Sequence, residues 1–130
     1  MYPLPPDDCR PPASPEQIAQ AEKALGTTFP QDYRAFLAFS NGFDGEIAGH
    51  YLVLWGTDML AELASGYDVL PPTASQVMIG SNGGPTAFAL MGGNYVSFPF
   101  VFAGPLEEEI RVLATDFTAF LQAIAAGEGW

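Results

Sequence analysis

Cys9 and His50 are the two side chains of this chain that could supply a thiol nucleophile and its base, for the chain holds one cysteine and one histidine. Such a pair works only when a rigid scaffold holds both groups to within roughly half an ångström of the productive geometry. Cys9 lies in the proline-rich stretch MYPLPPDDCRPPA, which offers no such support. His50 reads as a surface turn residue, and with no second ligand at helical spacing it makes no zinc site. The run Gly80, Ser81, Asn82, Gly83, Gly84 has the glycines of a phosphate cradle, in which successive backbone N–H groups face an anion. Neither a lysine nor a helix follows it, so the phosphate-loop motif is absent and a hairpin turn is the better reading. Asp44 and Glu46 invite reading as the start of a calcium loop, but the twelfth-position glutamate is missing. Any two acids of the chain could converge as a glycosidase pair, which spacing alone does not address. We therefore read no catalytic, cofactor-binding or metal-ligating set.

The acids are better read as a surface. Fifteen Asp and Glu stand against Arg10, Lys23, Arg34 and Arg111, for a net charge of −11. Four scattered cations make no basic patch, so a phosphate-rich partner such as nucleic acid is repelled, whereas a basic protein is the natural complement. The candidate contact residues are Asp44 and Glu46 in a loop, Asp58, Glu62 and Asp68 around a middle helix, and Glu107, Glu108 and Glu109 in a second loop. Neither loop, 43–50 or 103–109, contains Lys or Arg. Phe43, Tyr51, Tyr67 and Trp130 lie beside such segments as candidate apolar anchors. The alternative is a solvated acidic surface that serves solubility.

These residues need elements to position them. Residues 1–13, with five prolines and two adjacent aspartates, read as an extended arm with little to bury. Ser14 followed by Gln17 is a capping box and opens a helix ending at Leu25, with Gly26 as its left-handed stop and Ile18, Ala21 and Leu25 as a narrow apolar stripe. Pro30 supplies the preset φ for the first turn of a second helix. Its Tyr33, Phe36, Leu37 and Ser40 recur at i, i+3, i+4 and i+7 and must face a core, and Asn41 and Gly42 are expected to close it by the left-handed route. Residues 43–50 read as an acidic turn, and 51–55 as a buried strand. Thr57 or Asp58 caps a short helix with Leu60, Leu63 and Tyr67 on one face, stopped by Pro71 and Pro72.

Apolar runs 76–80 and 86–91 flank an Asn-Gly turn, a strong hairpin signal. A second glycine turn leads into 95–102, where Val96, Phe98, Phe100 and Phe102 alternate with Tyr95, Ser97, Pro99 and Val101, the pattern of a sheet with one heavily buried face. Pro99 argues for an edge or a bulge. Residues 110–114 form a further strand or a lead-in to a last helix, capped by Thr115 or Asp116, striped by Phe117, Phe120, Leu121 and Ile124, and ended by Gly127. The sum is an α+β domain: two N-terminal helices, a central, mostly antiparallel sheet, and a C-terminal helix packed on one face. A proline-rich arm (1–13) precedes one domain (14–130).

The ordered set Leu25, Gly26, Phe29, Pro30, Asp32, Tyr33, Phe36, Leu37, Asn41, Gly42, then Trp55, then Ile79 to Gly84, then Ala114, Phe117, Phe120 and Leu121 resembles the SUKH superfamily over about residues 14–126. That group includes fungal cell-wall-synthesis regulators and bacterial toxin-immunity proteins. Where relatives often continue the glycine turn with another Gly and an acidic or polar residue, this chain has Pro85 and Thr86, so no role for the turn's tip is carried over. The resemblance implies the same α+β fold and a non-enzymatic module that binds a toxin domain, or else a regulatory scaffold domain with an endogenous partner. With no basic leader, no apolar leader core and no membrane-length apolar window, the chain is expected to be cytoplasmic, with no membrane partner.

Overall fold

In the computed structural model, residues 4–66, 73, 76–101 and 103–128 are described. Tyr67, Asp68, Pro71, Pro72, Phe102 and Trp130, all named above, lie outside them.

Helix α1 (Pro15–Leu25) begins where its capping box places it. The Gln17 amide donates to Ser14 Oγ at 3.1 Å and the Ser14 amide to Gln17 Oε1 at 2.8 Å. It ends at Gly26 in the left-handed conformation, φ 68°, and buries Ile18, Ala21 and Leu25. Helix α2 (Gln31–Phe39) starts one residue later than expected, with Pro30 as its cap. Tyr33, Phe36 and Leu37 are fully buried. Its end corrects the expectation of a left-handed stop: Ser40 is extended, and Gly42 alone takes a positive φ, 97°. A side chain on Gly42 would bring Cβ to 2.7 Å from the Leu54 carbonyl, so this position demands glycine twice over. Ser40 is on the buried stripe because its hydroxyl is satisfied there, donating to the Gly42 carbonyl and accepting from the Arg10 amide.

The N-terminal segment is docked on the domain, which overturns its reading as an arm with little to bury. Pro6–Asp8 form one turn of 3-10 helix, Leu4 and Ala13 are buried, and Cys9 bridges to Phe43. The Ala13 amide donates to the Leu37 carbonyl at 2.9 Å and the Asn41 amide to the Pro11 carbonyl at 3.1 Å. The segment thus satisfies backbone groups that the end of α2 leaves open.

Six strands follow in a simple antiparallel meander, β1 (Phe43–Ile47), β2 (His50–Leu54), β3 (Gln76–Ser81), β4 (Thr86–Met91), β5 (Asn94–Pro99) and β6 (Arg111–Ala114), adjacent in chain order. Helix α3 (Thr57–Gly66) connects β2 to β3, and α4 (Phe117–Ala125) closes the fold. The segment read as an acidic turn is a strand in its first half. Phe43 and Ile47 are buried while Asp44 and Glu46 face out, a period-2 pattern that the glycines and acids masked. The turn itself is Ala48-Gly49, both at positive φ (51° and 84°), the two-residue hairpin geometry. Strands β3, β4 and β5 each bury their four central residues, so both faces of the mid-sheet are covered, which corrects the reading of one buried face. Pro99 is the last residue of β5, beyond the Ser97–Arg111 pair that ends its ladder with β6, so its missing N–H breaks none of the β5–β6 pairings.

The core is aromatic where α2, α4 and the sheet meet. Phe36 stacks on Phe117 with ring centroids 4.4 Å apart, Tyr95 on Phe120 at 5.2 Å, and Phe88 meets Phe120 edge-on at 5.4 Å. Asp32 joins the same three elements through polar bonds. Its carboxylate accepts from the amides of Phe117 (2.6 Å) and Tyr33 (2.8 Å) and from the Tyr95 hydroxyl (3.2 Å). A carboxylate at the start of α4 also faces the positive end of that helix.

Asp32→Ala should therefore lower stability by about 3 kcal/mol and Tyr95→Phe by about 1 kcal/mol. Tyr33 buries a hydroxyl with no partner, so Tyr33→Phe should be neutral or stabilising. Urea denaturation of the three variants checks the order. Burial pushes the Tyr33 and Tyr95 phenols well above their ordinary value, and the Asp32 charge adds to the shift at Tyr95. The unfolded chain then loses these protons at a pH of about 10 while the folded chain keeps them, so this contribution is intact below that pH and falls as pH rises. Melting temperature should drop between about pH 10 and 11.5, less steeply in the Tyr→Phe variants.

Candidate functional site

The thiol–imidazole pair does not assemble. Cys9 bridges to Phe43 at one end of β1, whereas His50 pairs with Ile47 at the other. Phe43 and Ile47 are four residue steps apart along the strand, about 13 Å. The glycine turn is equally closed to an anion. Asn82 Oδ1 accepts from the amides of Gly84 (2.9 Å) and Thr86 (3.2 Å), and Ser81 Oγ from that of Gly83 (3.0 Å), so the turn consumes its own donors. Among the described residues no group of three or more His, Cys, Asp or Glu could hold a metal ion. A groove of about 580 Å³ between α1 and α2 is lined by Ala13, Ile18, Ala19, Ala35 and Ala38, and its charged members, Glu22 and Arg34, pair with each other at 2.7 Å. That is the one ion pair among the described residues.

The acids proposed as contact residues fall in three places. Asp44 and Glu46 share the outer face of β1, because residues two apart in a strand point the same way. Asp58 and Glu62 are exposed one turn apart on α3, and Asp58 lines a depression together with Arg10. Glu107 and Glu108 are exposed and Glu109 half-buried in a 3-10 turn before β6. Since β1 and β6 are the opposite edges of a six-stranded sheet, the first and third sets lie about 24 Å apart. Asp68 is outside the described residues.

The hairpin set is the most developed. Glu46 pairs across the ladder with Tyr51, and the Tyr51 hydroxyl donates to Asp44. Tyr51 is 37% exposed, and its ring lies over Gly83, where a Cβ would sit 2.5 Å from the ring carbon Cδ2. On the neighbouring side the Asp8 carboxylate rests against Gly45, leaving no room for a side chain there. The result is an exposed aromatic ring beside Asp44 and Glu46 on the outer face of the hairpin, while the Asp8 carboxylate lies on the opposite face of β1. The hydrogen bond to Asp44 raises the Tyr51 phenol above its ordinary value, and the Asp44 and Asp8 charges act in the same direction. Phe43, the other aromatic of this segment named as an anchor, is core.

Asp8 was missed because nothing in its local spacing relates it to residue 45. The available signal was Gly45 itself, since a glycine inside a strand pattern marks close approach by another group. Chemically, this face can receive an ammonium or guanidinium group against carboxylates with its stem on the tyrosine ring.

A family model described as the SMI1 / KNR4 family (SUKH-1) matches residues 12–123. A segment of 37 residues is 54% identical to the Bacillus subtilis (strain 168) protein YnaB, itself described as uncharacterized; it spans 26% of this chain and 26% of that protein.

Replacing Asp44 by Asn removes both the acceptor charge and its field. The Tyr51 phenol should then titrate closer to about 10, a downward shift read in the ultraviolet phenolate band, with Tyr51→Phe identifying the signal.

Proposed function

As the chain belongs to the SMI1 / KNR4 family (SUKH-1), we propose that it is a non-enzymatic protein-binding module, an immunity protein that neutralises a basic bacterial toxin domain, such as a nuclease, by covering its substrate cleft. The observation that carries this reading is the outward face of the β1–β2 hairpin, where Tyr51 stands exposed beside Asp44 and Glu46 on a chain of net charge −11. A cleft that binds nucleic acid must be basic, and an acidic cover competes for the same cations without breaking a bond. An aromatic ring with two rotatable torsions gives contact area at small entropic cost, and carboxylates around it set orientation and speed encounter. Inhibition by occlusion needs no catalytic group on the covering module. The module is read as acting in the cytoplasm.

The test is calorimetry of the purified chain against the product of the adjacent upstream gene at about 50 mM and about 300 mM salt. Tight binding that weakens at the higher salt is expected. The double charge reversal Asp44→Lys with Glu46→Lys should weaken it by about 100-fold, mostly through slower association and faster loss of Tyr51-centred contacts. An unchanged affinity in that variant would remove the hairpin face from the interface, and absence of binding at both salts would turn the search to endogenous partners.

A further inference from the structure

The two edges of the sheet are finished differently. Along β1 the chain supplies its own cover, with Cys9 bridging antiparallel to Phe43 and Asp8 lying against Gly45. Along β6 no described strand pairs with the outer side, and the sheet order ends there. An uncovered edge presents N–H and C=O groups ready to pair with another chain. Val112, in the middle of β6, is 60% exposed, an apolar side chain at the position where an added strand would pack. Acids bracket the strand: Glu107, Glu108 and Glu109 before it and Asp116 after it, while Glu128 lines the same shallow cleft as Glu109 and Arg111.

We propose that the outer edge of β6 takes up an extended, lysine- or arginine-bearing segment of the protein partner as an added strand. Main-chain hydrogen bonds to Arg111–Ala114 supply the register, Val112 packs against an apolar residue of the incoming segment, and the flanking carboxylates select cations at its two ends. Charge decides the occupant. A second copy pairing β6 antiparallel about its own centre sets Arg111 opposite Ala114, and the same register carried two residues further sets Glu109 opposite Asp116 on both sides of the axis. Like charges directly opposite destabilise a ladder, so self-pairing is disfavoured by the residues that favour a basic strand. This inference rests on the protein-binding reading and adds a second contact, at the edge far from Tyr51.

The experiment is an NMR titration of the isotope-labelled full chain with three eight-residue peptides. One alternates Lys and Val, one alternates Glu and Val, and one alternates Lys and Gly, which keeps the charge but has poor strand propensity. The Lys–Val peptide is expected to shift the amides of residues 111–114 and slow their hydrogen exchange, with no comparable effect from the other two. The variant Glu107→Lys with Glu108→Lys, both exposed positions, should keep the circular dichroism spectrum and bind the Lys–Val peptide about tenfold more weakly. Equal shifts with Lys–Gly would mean charge adsorption alone and would overturn the proposal. So would shifts confined to β1 and β2, no shift at all, or concentration-dependent dimerisation through β6 without peptide. Binding of the cognate partner with β6 unperturbed sinks the edge proposal and leaves the protein-binding reading standing; engagement of Lys–Val at β6 with no cognate binding does the reverse.

Discussion

One carboxylate holds this fold together at its most crowded point. Asp32, in the first turn of α2, accepts the Phe117 amide that opens α4 and the hydroxyl of Tyr95 from β5. It therefore links two helices that lie 85 residues apart in the chain, and the strand beneath them, at the place where Phe36, Phe117, Phe120 and Tyr95 stack. Rings alone fix distance but tolerate sliding, since offset stacked and edge-on arrangements differ little in energy. A charge-assisted bond to a helix amide has a single acceptable direction, and so it sets the register of that packing.

That internal anchoring leaves the rim free to differ. The β1 edge is occupied by the N-terminal segment, whose prolines cannot extend a ladder but whose Cys9 and Asp8 close it off. The β6 edge carries only four residues, bracketed by acids, and no described strand pairs with its outer side. With one ion pair among the described residues, most of the negative charge is spent outward, where it raises the cost of wrong partners and of self-association. Tyr51 is the exception that makes one acidic face more than a solvated one, since it holds an apolar ring in place between carboxylates.

Much of the scaffold was legible before any coordinates. The capping box at Ser14, the left-handed Gly26, the aromatic stripes of α2 and α4 and the Asn-Gly hairpin all depend on neighbours within four residues, and each appears where spacing puts it. The errors share a cause as well. Strand β1 was read as a turn because FDGEI scatters glycine and acids through a period-2 pattern whose buried members are only Phe43 and Ile47. The N-terminal segment was read as an extended arm with little to bury because its partners, Leu37, Ser40, Asn41 and Phe43, lie some thirty residues on. Alternation in β5 suggested one buried face, but what covers the second face comes from other parts of the chain.

By itself, then, the sequence determined the α+β class, the order of its helices and of the strands after β1, and a net charge of −11, because these follow from local backbone preferences, hydrophobic period and composition. Only the tertiary structure decided which acids belong together. Asp44 and Glu46 share a strand face with Tyr51, Asp58 lines a depression with Arg10, and Glu107 to Glu109 stand at the opposite edge of the sheet. Proximity in a meander is set by strand order and register, and a charge carries no mark in the sequence of the strand it will face.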